Sequence, residues 1–153
     1  MKFTKYIAFM LLCTIMLNGM GIPAAAQENT AILENEHVVV EFPNIEEDSF
    51  DVSNNTTRAT NRFDWSIPSG VTKKANTAFS LDADETVTIN CTFSPRNSDV
   101  DFGLIAPSGR FYYTNADGGS FNNSIRVNET GKYYLAIRNN SDQTIQVMGF
   151  VYY

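Results

Sequence analysis

The chain has 153 residues, with 17 acidic against 11 basic side chains, one histidine and two cysteines, for a formal net charge of −6. That length suits a single domain once any export signal is removed. The acidic balance argues against nucleic acid as a partner, because there is no basic patch to release phosphate counterions, and one His with two Cys is too thin a ligand set for a zinc centre.

Lys2 and Lys5 precede an apolar run from Tyr6 to Leu17. Charge followed by a short apolar run is the order of a secretory signal peptide, and the run falls short of the roughly 20 residues that cross a hydrocarbon core. Asn18, Gly19, Gly21 and Pro23 break the run, and Ala24-Ala25-Ala26 supplies small residues before Gln27. Residues 1–26 are therefore expected to be cleaved, giving a secreted, extracellular product with no membrane attachment. An uncleaved anchor fits the short run less well. A lipid on Cys13 would follow the bulky Leu11-Leu12 and sit inside the apolar run, where such an anchor is not expected.

Residues 27–60 hold eight acids and one base, whereas 61–153 hold nine acids and eight bases. The acidity thus belongs to a leader, and the domain behind it is nearly neutral. The leader is polar and ends in the turn-rich Ser53-Asn54-Asn55-Thr56-Thr57, so it is expected to be a flexible linker. Only His37 to Phe42 has strand character, and Pro43 ends it. Solvated spacer, prosegment and docking peptide all remain open for this segment.

From Arg62 the pattern takes a period of two. Phe63–Ile67 and Ala78–Leu81 are short strand candidates. Val87, Ile89, Cys91 and Phe93 alternate with Thr86, Thr88, Asn90 and Thr92, which predicts a strand with one buried and one wet face. Val100, Phe102 and Leu104 alternate with Asp99, Asp101 and Gly103. Pro107-Ser108-Gly109 turns the chain into Arg110–Thr114, and Asp117-Gly118-Gly119 turns it again. Ser124–Asn128, Lys132–Arg138 and Thr144–Tyr153 complete about eight strands, with turns at Glu129–Gly131 and Asn139–Asp142. No window supports an amphipathic helix. The expected fold is all-β, an antiparallel, jelly-roll-like sandwich over residues 61–153. The closing strand is apolar on both faces, with Ile145, Val147 and Val151 on one and Met148, Phe150 and Tyr152 on the other. This implies either a central strand covered on two sides, the commoner arrangement, or a face that meets a partner.

Three stretches carry a family resemblance: Phe79–Ile89, Asp99–Gly109 and Gly131–Asn139. Together they resemble the bacterial pre-peptidase C-terminal domain, over roughly residues 76–153, and also the modules that end small secreted proteins of Gram-positive bacteria. The resemblance implies a jelly-roll-like sandwich with a role in secretion, substrate adherence or solubility. Here no peptidase precedes the module, so the usual client is missing in cis. Some relatives bind calcium through turn acids, but their ligand set does not map residue by residue. A bacterial source would also make the six Asn-x-Ser/Thr sites, at Asn54, Asn55, Asn90, Asn122, Asn128 and Asn139, a matter of composition.

Catalytic chemistry has little to draw on. His37 is the only histidine and lies in the leader, far in sequence from any Ser or Cys that could act as nucleophile. Cys91 becomes the one cysteine after signal cleavage, so no internal disulfide forms, and its place in an alternating strand suits a small buried hydrophobe. No cofactor is expected. Asp82 and Asp84, and Asp99 and Asp101, are i, i+2 pairs that could hold calcium, although turn-forming and solvated roles explain them more simply. The aromatics are the stronger lead. If Phe111, Tyr113 and Tyr133 face the core, then Tyr112 and Tyr134 face outward, where rings stack on sugars or anchor a protein. Trp65, just before Pro68-Ser69-Gly70, is a third candidate. The function expected is a non-catalytic module binding an extracellular polysaccharide, wall component or protein. The alternatives are an exported carrier whose acidic leader makes the contacts and, least supported, a hydrolase.

Overall fold

Alternating strands with one apolar face must pair that face with another layer, and here two sheets do so around one core. The structure is a computed structural model and describes residues 30–32, 38–39, 44–50 and 60–153. The segment assigned to a signal peptide, His37 and the turn-rich stretch 53–57 lie outside the described residues. The strands are β1 (Thr30–Ile32), β2 (Val38–Val39), β3 (Ile45–Asp48), β4 (Thr60–Ile67), β5 (Thr72–Ala75), β6 (Phe79–Leu81), β7 (Thr86–Ser94), β8 (Val100–Ile105), β9 (Phe111–Ala116), β10 (Ser120–Arg126), β11 (Gly131–Asn139) and β12 (Ile145–Tyr152). One sheet is five-stranded, in the order β1-β10-β7-β12-β4. The other is seven-stranded, in the order β2-β9-β8-β11-β5-β3, with β6 also paired to β11. The chain is therefore an all-β sandwich.

The core follows the predicted alternation. Val87, Ile89, Cys91 and Phe93 of β7 point inward, as do Phe63, Trp65 and Ile67 of β4. Phe102, on the seven-stranded sheet, is gripped by two rings of the five-stranded sheet. Phe121 stacks on it at 4.6 Å between centroids and Phe93 meets it at 5.6 Å. Each such ring contributes about 1.5–3 kcal/mol by leaving water. The Phe121 contact also explains why β10 begins at Ser120 rather than near Ser124. Packing on Phe102 and pairing with β7 from Ser120↔Thr92 onward overrule the turn preference of Asn122 and Asn123.

Three strands go beyond those read from the sequence, β1, β3 and β5, while β2 falls in the His37–Phe42 stretch that had strand character. Two of them introduce parallel pairing into the otherwise antiparallel plan, β1 with β10 and β3 with β5. Residues 44–50, expected to lie in a solvated leader, are part of the sandwich. β3 adds to the edge of β5, with Glu46↔Lys73 and Glu47↔Lys74 in register. Thr72 N donates to Asn44 O at 3.0 Å and Asn76 N donates to Asp48 O at 2.8 Å. Lys74 Nζ lies 2.8 Å from Glu47 Oε1, and Lys73 Nζ lies 3.0 Å from Asp48 Oδ2. Phe50 is buried against Trp65, whose Nε1 donates to Ser49 O at 3.1 Å. Part of the leader's acidity thus answers two lysines on a sheet edge, and covering that edge also removes an open ladder.

Partial burial alone would raise the Asp48 pKa, but the Lys73 ammonium and the Ser49 N–H outweigh it and hold the carboxyl below its ordinary 3.8. A carboxyl with a depressed folded pKa adds stability above its unfolded pKa and loses it as pH falls through the folded value. Emission from Trp65, the only tryptophan, should therefore stay constant from about pH 8 to about pH 5 and shift only below about pH 4, as β3 and Phe50 loosen. Lys73→Met should flatten that acid transition. An emission spectrum unchanged down to about pH 2 in the parent chain would contradict the docking.

Candidate functional site

The three rings chosen from sequence separate in the structure. Trp65 is only 1% exposed and points into the core between Phe63 and Phe50, so it offers no face to a ligand. Tyr112 pairs with the inward-facing Leu104 and packs against the core. Its orientation is the reverse of the one expected. The register Ile105↔Phe111 puts Phe111 and Tyr113 on the outer side of the seven-stranded sheet, because Phe102 and Leu104 already take the inner side of β8. Tyr134 lies on that outer side, as expected, but it is half-buried and Lys74 Nζ sits 4.6 Å above its ring. Tyr113 is likewise covered, with the Arg138 guanidinium at 4.6 Å.

The paired acids are built into hydrogen-bond networks. Asp101 is buried rather than solvated, because β8 is covered on both faces. Its Oδ2 accepts from Arg138 Nε at 2.8 Å and from Asn140 Nδ2 at 2.8 Å, and its Oδ1 accepts from Asn115 Nδ2 at 2.8 Å. Asp99 accepts from the same two asparagines. Burial opposes charge on Arg138, but its bond and ion pair with Asp101 more than compensate and raise its pKa. At the other pair, Glu85 Oε2 accepts from Asp82 N at 2.7 Å, and Asp84 takes a left-handed conformation (φ 73°) and pairs with Arg126. These are turn roles. Among the described residues no group of three His, Cys, Asp or Glu side chains is placed to hold a metal ion. Burial pushes the Cys91 thiol up to about 12, so it is protonated at neutral pH and faces the core.

Apart from Ile45 of β3, the large apolar side chains left exposed among the described residues lie on β12. This strand is central, between β7 and β4, yet among the described residues only its inner face is covered. Ile145, Val147 and Val151 are fully buried, while Met148 is 50% and Phe150 40% exposed on the other side. Tyr152 continues the row, with its ring 6.2 Å from that of Phe150. The cross-strand neighbours of this row are Thr92, Asn90 and Thr88 on β7 and Asp64, Arg62 and Thr60 on β4. Beyond β7, the same face of β10 carries Ser120, Asn122, Ser124 and Arg126. Thr88 and Ser124 hydroxyls are 2.8 Å apart, and Gln146 Nε2 donates to Ser66 Oγ at 2.7 Å. Asp64 sits 3.7 Å from Arg62, so hydroxyls and amides flank the row on the β7 side and an exposed ion pair on the β4 side. Gly149 sets the spacing. A Cβ there would run into the Asn90 carbonyl and Cys91 Cβ, so only glycine lets β7 and β12 approach beneath the row.

The signal for this surface was present in the sequence as the two-sided apolar character of Thr144–Tyr153; the commoner explanation, cover on both faces, does not hold among the described residues, where Met148 and Phe150 are exposed.

No family model matches the chain, and no curated protein matches it. Among solved structures it is similar to the crystal structure of PliG from Aeromonas hydrophila, a periplasmic lysozyme inhibitor of g-type lysozyme. The identity is 13%, the match covers 71% of this chain and 96% of that one, and the TM-score is 0.47.

Asp101 is the hub of its network, with its side chain 2% exposed. Asp101→Ala would strand the Arg138 charge and two amide donors and should cost about 3 kcal/mol in urea unfolding. A ligand bound only to the native state must raise its stability, so the melting temperature of the parent chain should be the same in excess calcium and in chelator. A chelator-sensitive melt would instead make these aspartates metal ligands.

Proposed function

We propose that this protein is an exported, non-catalytic binding module that engages a neutral extracellular polysaccharide through the outer face of its five-stranded sheet. The reading rests on one observation: Met148 and Phe150 are exposed in a row that the half-buried Tyr152 continues, with Thr92, Asn90 and Thr88 on the β7 side and Asp64, Arg62 and Thr60 on the β4 side. Sugar rings present apolar C–H faces and a periphery of hydroxyls. The row offers partners for the first and the Thr, Asn and Ser flanks for the second. A tight protein partner is less well matched, since interface cores take a wider apolar patch than three side chains provide. Export follows from the signal-peptide pattern of residues 1–26, and an adherence role agrees with the resemblance to pre-peptidase C-terminal modules.

The inventory for hydrolysis is poor. The chain has one histidine, its buried thiol is protonated, and Asp82, Asp84 and Asp101 serve turns and ion pairs. A retaining or inverting glycosidase needs two free carboxyl groups facing one substrate.

Phe150→Ala and Tyr152→Ala should each weaken binding on a glycan array by about tenfold, as expected for loss of an aromatic anchor. Because both residues are at the surface, their melting temperatures should stay within about 1–2 °C of the parent. A chain with Glu28, Glu34, Glu36 and Glu41 changed to Gln should bind like the parent. Binding that follows those leader acids and ignores the two rings would favour the carrier reading instead, and cross-linking to a protein in place of any glycan would move the partner class.

A further inference from the structure

We infer that the β5 edge is a binding site for an extended acidic strand ending in an aromatic side chain, and that its occupant, residues 44–50, can be supplied by a second copy of this chain. The site lies on the seven-stranded sheet and does not depend on the polysaccharide reading of the β12 row. The structure shows it filled, so the chemistry it accepts is visible. Asn44 O accepts from Thr72 N and Asp48 O accepts from Asn76 N, at the two ends of the paired stretch. Glu47 meets Lys74, Asp48 meets Lys73, and Phe50 stacks on Trp65 at 6.2 Å between centroids. This is recognition by strand addition, in which backbone pairing supplies affinity and side-chain contacts supply selectivity.

The receiving side is built by the domain and not by its occupant. Lys73 Nζ also donates to Ser66 O at 2.8 Å, which aims the ammonium from β4. Lys74 Nζ is held 4.6 Å above the Tyr134 ring. Trp65 packs on Phe63 at 5.2 Å. None of these contacts involves residues 44–50, so the site is set before a strand enters and little order is lost on binding.

The occupant is held more lightly. Ile45, Glu46 and Glu47 are exposed, and Phe50 is the one fully covered side chain of the segment. Among the described strands β3 pairs with β5 alone. It precedes β4 to β12 in the chain, together with β1 and β2. The arm through Phe50 can therefore pass to a second copy while the strands behind it keep their places. A reciprocal exchange reproduces each hydrogen bond, ion pair and ring contact across a two-fold axis, which makes it a low-cost route to a dimer. A foreign strand would have to match both lysines and Trp65, whereas a second copy carries that match already.

Ile45 and Thr72 are paired in register, and neither belongs to the two ion pairs. Neighbouring strands bring such residues within the Cα separation that a disulfide spans. The test mixes two full chains, Ile45→Cys and Thr72→Cys, and oxidises them; Cys91 is buried and does not compete. A heterodimer linked through positions 45 and 72 is expected, identified by mass spectrometry of the linked peptides, with a yield that grows with chain concentration. A synthetic peptide of residues 43–51 should suppress it, and the same peptide with Glu46→Gln, Glu47→Gln and Asp48→Asn should need about tenfold more to do so. The double variant Ile45→Cys, Thr72→Cys in one dilute chain is the control and should close its own disulfide. Closure there, with no heterodimer in the mixture up to about 1 mM, overturns the inference. A heterodimer that the peptide leaves untouched, or that both peptides suppress equally, overturns the acidic-strand assignment. Failure of the double variant to close overturns the docking of β3 and the inference with it.

Discussion

The alternation of β12 is the constraint on which the rest of the molecule turns. Ile145, Val147 and Val151 fill the core opposite the seven-stranded sheet, and each is fully buried. A strand has no third side, so filling the core with these residues obliges Met148, Phe150 and Tyr152 to point the other way. A slip of one residue would send all six to the wrong face. Pairing on both sides prevents it, with eight register pairs to β4 and seven to β7. Gly149 completes the lock by permitting the close approach of β7. The exposed row is therefore held by the same interactions that hold the fold, and it needs no loop to position it.

The two outer faces divide the protein's polar chemistry between them. On the seven-stranded sheet, rings and charges satisfy one another. Lys74 covers Tyr134 and reaches Glu47, and Arg138 covers Tyr113 and reaches Asp101. A cation over a ring occupies the face a ligand would use. It also ties β11 to β5 on one flank and to β9 on the other. The docked strand β3 extends this network outward, because the Glu47 that pairs with Lys74 comes from the acidic segment. The role of that acidity is thus partly structural: it neutralises a basic edge that would otherwise present both unpaired backbone groups and two lysines.

How much of this could be read from the sequence depends on which interactions are local. The all-β sandwich was legible because period-two alternation is a local signal, and β7 and β12 follow it nearly residue for residue. β5 was not legible. Its Lys73-Lys74 pair looks like a solvated turn until the acidic strand beside it is known, and that partner, paired as Glu46↔Lys73 and Glu47↔Lys74, lies far upstream in the leader. β3 was missed for the reciprocal reason, since Ile45–Asp48 has little to pack and is held by charge and edge pairing. The site residues divide in the same way. Trp65 was a candidate by its ring and its place before a turn, and Tyr112 by alternation from an assumed inward Phe111, whereas their facing is set by neighbours: Phe63 and Ile67 for the first, the Leu104 register for the second. Asp101 was expected to be wet because it alternates with Val100 and Phe102. It is buried because Asn115, Arg138 and Asn140 close over it from other parts of the chain, contacts that alternation does not encode.

The two outer faces also differ in how far their apolar surface is covered. Both sheets carry aromatic side chains outward, so ring content does not distinguish them. What differs is whether the ring faces are already used. Tyr113 stacks on Phe111 at 5.1 Å and lies under Arg138, and Tyr134 lies under Lys74. Displacing those contacts would cost the cation–π attraction and expose the Phe111 cluster to water. Phe150 and Tyr152 touch each other only at a 31° tilt, and Met148 carries no polar group to desolvate. On the proposed reading, a ligand at this face would meet apolar surface that no contact among the described residues uses, on the strand whose other face builds the core.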